Sequence, residues 1–201
     1  MTTSTQHHSN DIRDHILATG QRIMAGKGFS AVGLNEILTD AGVPKGSFYH
    51  YFSSKEAFGV AMLARYFDDY LAEIDSTLSQ PGLNMAQRLM NYWRQWRESQ
   101  SFSHCQGKCL AVKLGAEVAD LSDTMRVTLE SGTSGIISRL AEALEAGVAE
   151  GSLTIDDHPT NVAENLYQLW LGASVMVKIV RNTGPFDSAM RLTQKIIRIA
   201  P

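Results

Sequence analysis

Apolar residues recur three or four places apart from Asp11 to the end of the chain, and no alternating apolar–polar run competes with them. That spacing gathers them on one face of a helix, whereas a half-buried strand needs a period of two. The chain is therefore read as all-α, with about nine helices. Ile12, Ile16, Thr19 and Ile23 share a face, and Gly26 and Gly28 close the first helix. Leu34, Ile37, Leu38 and Ala41 form a short second helix, broken by Gly42-Val43-Pro44. A third short helix runs from Lys45 to Phe52, with Phe48, Tyr51 and Phe52 able to face inward together. Ser54 is placed to cap a long fourth helix, whose apolar line is Phe58, Met62, Tyr66, Tyr70, Ile74 and Leu78. Five more are expected: Met85 to Ser99, one starting near Gly107, one carrying Leu129 to Leu144, Pro159 to Arg181, and Pro185 to Ile199. The stretches from Ser99 to Gln106 and from Ser152 to His158 read as loops.

A chain of 201 residues with 44% hydrophobic and 19% charged residues hides roughly 70% of its unfolded surface. That excludes a disordered regulator and a disulfide-stapled miniprotein. The formal net charge is −3, so no global basic character advertises nucleic acid. Met1 to Asn10 is polar and carries neither the basic nor the apolar region of a signal peptide, and none is expected. The longest apolar stretch, Leu169 to Val177, is interrupted by Lys178 and falls far short of the ~20 residues that span a bilayer. No membrane partner is expected. With only two cysteines, Cys105 and Cys109, a reducing cytoplasmic setting fits, in which both thiols are free or reactive.

The informative segment is Leu34 to Lys55, LNEILTDAGVPKGSFYHYFSSK. A short apolar helix, a turn containing glycine and a second short helix meet the helix-turn-helix specification. With Leu34, Leu38 and Val43 locking the pair on one side, the second helix is left to present Lys45, Ser47, Tyr49 and His50 on the other. Lys and Ser bond phosphates or base edges, while Tyr and His combine stacking area with a polar tip. Gly46 lets backbone approach a sugar–phosphate strand closely, and Lys55 begins the next helix, whose free N–H groups favour a phosphate. Periodicity alone also allows a plain helical hairpin here.

The run from Gly42 to Phe52, followed by Ser54-Lys55-Glu56-Ala57, resembles the signature of the TetR family of bacterial transcription regulators. The resemblance implies a DNA-binding domain over residues 1–58 and a helical regulatory and dimerisation domain over 59–201. It implies that the second paired helix reads the major groove, with Asn35, Lys45, Gly46, Ser47, Tyr49, His50, Tyr51 and Lys55 facing DNA and Phe48 and Phe52 in the core. Gly33 departs from the family, which often has a capping Thr or Ser there. The implied partners are double-stranded operator DNA, a small-molecule or reactive inducer, and a second copy of the chain in a homodimer. The last two helices would pair with their symmetry mates.

Two further segments resemble the NemR and AcuR branch of that family: Gly107 to Leu114 with Glu117-Val118, and Leu166 to Ala173. Members of that branch respond to electrophiles, oxidised chlorine species or acrylate-like compounds. The resemblance makes Cys109 the inducer sensor and aligns Lys178 with a lysine of that branch, a candidate partner for an oxidised sulfur, with Cys105 a resolving thiol or merely exposed. The residues themselves allow two readings. Cys109 near a helix start, beside Lys108 and Lys113, is placed for a lowered thiol pKa; it also fits a small buried hydrophobe. Lys178, among Val175, Met176, Val177, Ile179 and Val180, is either desolvated or snorkelling to solvent. Trp93, Trp96, Tyr167 and Trp170 are core or pocket lining at helical spacing.

Other classes fit less of the chain. A thiol-dependent peroxidase built on Cys109 needs a supporting Arg or His, and His104 is near only in sequence. A metal sensor with His104, Cys105 and Cys109 lacks a second cluster to complete a tetrahedron. A repressor with a noncovalent pocket keeps the DNA domain and makes Cys109 incidental. The expectation is a repressor rather than an enzyme, without cofactor or metal.

Overall fold

The computed structural model describes residues 3–99 and 110–200, and of residues 3–10 only the helical backbone. Among the described residues there are nine helices: α1 (Thr3–Lys27), α2 (Leu34–Ala41), α3 (Lys45–Tyr51), α4 (Lys55–Leu78), α5 (Met85–Ser99), α6 (Leu110–Leu121), α7 (Asp123–Ala149), α8 (Pro159–Val180) and α9 (Gly184–Ile196). A short antiparallel ribbon joins β1 (Leu153–Thr154) to β2 (Arg198–Ile199), with Leu153 opposite Ile199.

These spans follow the apolar periodicity, with three departures; the helix start expected near Gly107 and the loop expected after Ser99 lie outside the described residues. Helix α1 starts at Thr3 rather than near Asp11, because its first turns are polar and give no pattern to read. Helix α7 starts at Asp123, where the Ser122 hydroxyl accepts the Met125 N–H at 3.2 Å as an N-cap. Helix α9 stops at Ile196 and the chain turns into β2, so the stretch expected as a loop after Ser152 is half of a ribbon. Two-residue strands carry no period. The expected Ser54 cap is present, its hydroxyl accepting the Ala57 N–H at 3.0 Å.

The chain divides into two compact units, Met1–Phe67 with Cys109–Glu130 and Asp68–Lys108 with Ser131–Pro201. In the first, Ile16, Leu17, Met24, Ile37, Phe48 and Phe58 are fully buried. Helix α4 approaches its neighbours here through Gly59. A Cβ at that position would lie 2.6 Å from Met125 Sδ and 2.7 Å from Phe29 Cε2. In the second unit the core is aromatic. The Trp93 and Trp170 rings stack at 5.0 Å and 18°, and Phe186 stacks on Trp170 at 5.7 Å. The Trp170 indole N–H donates to Thr193 Oγ1 at 2.9 Å and that of Trp96 to Ser174 Oγ at 3.0 Å, which satisfies two buried donors. The ribbon closes this unit, with Ala200 N–H donating to the Ser152 carbonyl and Ala86 N–H to the Ser152 hydroxyl.

Adding a methyl group at Gly59 forces Phe29 and Met125 outward. Overpacking of this kind costs about 1–3 kcal/mol, so Gly59→Ala should lower the urea midpoint with the slope unchanged. A midpoint equal to wild type would show that the two side chains yield freely.

Candidate nucleic-acid interface

The recognition geometry begins at Gly42. It adopts the left-handed conformation (φ 65°, ψ 28°), and its N–H and that of Val43 bond back to the carbonyls of Thr39 and Leu38 at 3.2 and 3.1 Å. This closes α2 with a Schellman-type turn. Pro44 then stands before α3 in extended backbone, where its missing N–H costs nothing. Gly33 precedes α2 without a side-chain cap, as its lack of a hydroxyl requires.

Phe48 sets the rotation of α3. It is fully buried, 5.1 Å from the Phe52 ring and 5.6 Å from that of Phe58, while Phe52 meets Phe58 edge-on at 5.2 Å. With that residue inward, Lys45, Gly46, Tyr49 and His50 are exposed, and Ser47 and Tyr51 are half-buried beside them. Tyr49 is 52% exposed, the Lys45 ammonium lies 5.9 Å from its ring centroid, and the His50 and Tyr51 rings meet edge-on at 4.8 Å. Asn35, in the first turn of α2, is also exposed. A seven-residue helix is about 10 Å long and fits a major groove about 12 Å wide.

Cations on the neighbouring helices are partnered. Arg22 pairs with Asp40 and Lys27 with Glu36, each joining α1 to α2. His15 Nε2 lies 3.1 Å from the Ala41 carbonyl. Lys55 is half-buried: its ammonium donates to the Phe29 carbonyl at 2.7 Å and lies 4.6 Å from the Phe29 ring centroid. One of its three N–H donors is thus committed inside the protein. Burial lowers its pKa, and the nearby Glu117 carboxylate acts in the opposite direction.

Glu117 of α6, noted in the sequence only within the Glu117-Val118 resemblance, takes a part here that no sequence pattern assigns to it. Its two carboxylate oxygens accept the Ser30 N–H at 2.7 Å and the Phe29 N–H at 3.1 Å, in the turn between α1 and α2. Eighty-seven and 88 residues separate these partners, so no spacing rule connects them. A second carboxylate, Glu56 at the start of α4, accepts hydrogen bonds from Ser122 and, at 2.9 Å, from Thr124 at the corner between α6 and α7. These two bonds hold its carboxyl below the ordinary range.

Of the expected sensor residues only Lys178 is among those described. Cys105 and Cys109 lie outside the described residues, as does His104. Lys178 is half-buried on α8. Trp93, Trp96, Tyr167 and Trp170 are buried in one packed cluster, with Trp96 edge-on to Tyr167 at 5.8 Å. Among the described residues the buried Trp93 indole N–H has no hydrogen-bond partner. Beyond this cluster, Val175, Met176, Ile179 and Val180 of α8 and Leu192 of α9 are exposed, Ile179 at 65%. Ile197, in the helix expected to run to Ile199 and to pair with a second copy, is instead fully buried within its own chain.

Comparison with known proteins places this geometry. Residues 16–62 match the model described as "Bacterial regulatory proteins, tetR family", and residues 85–193 match "Tetracyclin repressor-like, C-terminal domain". The chain belongs to the TetR family. The TetR-type chain is 42% identical over 192 residues to the HTH-type transcriptional repressor NemR of Escherichia coli (strain K12), covering 96% of each chain. It is 33% identical over 177 residues to the transcriptional regulator AcuR of Cereibacter sphaeroides, covering 88% of this chain and 80% of that one. The crystal structure of E. coli NemR in its reduced form superposes with a TM-score of 0.90 at 43% identity, covering 94% of this chain and 98% of that one. The protein is thus a TetR-type transcriptional repressor with a helix-turn-helix DNA-binding unit, and regulators of this family bind operator DNA as dimers. Among the described residues no helix is long and apolar enough to cross a membrane.

The turn at Phe29 gives a pH test. Partial burial pushes the Glu117 carboxyl up, but Ser30, the Phe29 N–H and Lys113 outweigh it and hold the carboxyl below its ordinary range. A depressed carboxyl stabilises the fold above its unfolded pKa of about 4.3, and that share is lost as pH falls through the folded value. Wild-type stability should therefore fall more steeply than that of Glu117→Gln between about pH 5 and pH 3, read as urea midpoints. Parallel curves would mean that the carboxylate charge does nothing for the turn.

Proposed function

We propose that this repressor binds a palindromic operator as a homodimer and is released when a reactive electrophile or oxidant modifies Cys109. The DNA-facing set is Asn35, Lys45, Gly46, Ser47, Tyr49, His50 and Tyr51, with Lys55 offering its remaining N–H donors to a phosphate. The inward lock of Phe48, which turns Lys45, Tyr49 and His50 outward, is the observation that carries the DNA reading. The exposed apolar strip on α8 and α9 supports pairing with a second copy, since such a strip on a repressor helix needs cover.

The sensor reading rests on sequence position and kinship. Cys109 directly precedes α6, where the helix dipole favours a thiolate, and Lys108 and Lys113 add positive charge. The 42% identity to NemR across nearly the whole chain supports the electrophile-responsive branch, and the description of its solved structure as a reduced form supports a thiol switch. Lys178 would act as hydrogen-bonding or nucleophilic partner of an oxidised sulfur, and Cys105 as a resolving thiol. A bias of ~3 kcal/mol between two states changes operator affinity by roughly two orders of magnitude.

A noncovalent inducer is the second reading, favoured by one observation. Among the described residues the buried Trp93 N–H has no partner, and a ligand carbonyl or carboxylate among Trp93, Trp96, Tyr167 and Trp170 would satisfy it.

Two measurements test the proposal. Cys109→Ser should bind operator normally and resist release by electrophile or hypochlorite, with intact mass recording modification of the wild type on the same samples. Release at the wild-type dose would make Cys109 incidental and favour the aromatic cluster. Ile179→Glu should give monomer in sedimentation and lose operator binding with the DNA-facing residues intact; a dimer of wild-type affinity would place the pairing surface elsewhere.

A further inference from the structure

The inducer signal, on the reading above, arises at the start of α6, whereas DNA is read by α3. Within the first unit two carboxylates tie α6 to the elements around α3. Glu117, near the far end of α6, holds the N–H groups of Phe29 and Ser30. The carbonyl of the same Phe29 is held by Lys55. The peptide groups on the two sides of Phe29 are thus gripped by opposite charges, one from α6 and one from α4. Glu56, next to Lys55, is in turn bonded by Ser122 and Thr124 beyond the end of α6.

The local backbone is shaped for this grip. Gly28 has φ +97°, and a Cβ there would lie 3.0 Å from the Glu117 carboxylate oxygen. A side chain at that position would be both strained and in the way of the carboxylate. Phe29 is 4% exposed and is the same ring that packs against Gly59 of α4. Hydrogen bonds from neutral donors to a carboxylate are stronger than neutral pairs, and two of them meeting one turn set its position relative to α6.

We propose that Glu117 is a positioning residue for operator binding: through the Phe29–Ser30 turn, with Glu56 as second anchor, it makes α6 and the DNA-reading helices move as one piece. A displacement of α6 is then delivered to the turn before α2 without passing through α3 itself. Coupling is reciprocal, so the operator must also act on α6.

That reciprocity allows a test without any inducer. Hydrogen exchange of the α6 amides is compared with and without operator, at DNA concentrations that saturate each full-length protein. Operator should slow α6 exchange by about tenfold in wild type and by less than about twofold in Glu117→Gln. Asp120→Asn, which removes a charge from an exposed position of the same helix, should behave as wild type. Equal protection in wild type and Glu117→Gln, or no protection in either, overturns the clamp. A second arm uses N-ethylmaleimide, with modification followed by mass. If the clamp carries the signal, Glu117→Gln is modified like wild type yet needs roughly tenfold more reagent for release; release at the wild-type dose overturns the clamp. A wild type that is modified at Cys109 and keeps its DNA refutes the sensor reading alone, and the exchange arm then decides the clamp by itself.

Discussion

The burial of Phe48 against Phe52 and Phe58 is the contact on which the rest depends. A helix of seven residues has little stability of its own and no intrinsic orientation. Three aromatic rings within 5.1–5.6 Å of one another fix both. Once Phe48 is inside, helical geometry leaves Lys45, Tyr49 and His50 no direction but outward. The exposure of the residues proposed to face DNA is therefore a consequence of core packing. The left-handed Gly42 and the Pro44 start deliver α3 to that packing site at a fixed angle.

Electrostatics around this surface is local. A chain of net charge −3 has no general attraction for a polyanion. Arg22 and Lys27 are partnered with Asp40 and Glu36, and Lys55 is partly committed to Phe29. The cations thus brace neighbouring segments against one another. Exposed pairs of this kind contribute little stability individually; their effect is to fix where positive charge stands. A DNA-binding protein so arranged depends on geometric fit and on doubling its contacts in a dimer, rather than on long-range attraction.

Much of the fold was legible because periodicity and caps are local. Leu34 to Ala41 marked α2 to the residue, and Ser54 announced the start of α4. What escaped is nonlocal. The ribbon of Leu153–Thr154 with Arg198–Ile199 is too short for a period and joins residues far apart in the chain. Ile197 follows an apolar helical line, yet α9 ends before it and the chain turns it into its own core. Of the candidate site, the α3 residues could be read because one buried aromatic fixes the rest by geometry. Position at a helix start points Lys55 towards a phosphate and carries no sign of the Phe29 carbonyl, which only folding brings to it. Glu117 stands in the sequence only within a family resemblance and carries no sign of its role, since its partners are brought to it by the packing of α6 on α1.

Methylation interference on the operator measures the central claim most directly, since methyl groups on guanine N7 project into the major groove that α3 is shaped to enter. Binding by a dimer through α3 predicts interference at guanines in two symmetry-related half-sites, their centres one helical turn or a small multiple of it apart. Interference confined to the minor-groove adenines, or in a single unpaired patch, would contradict it.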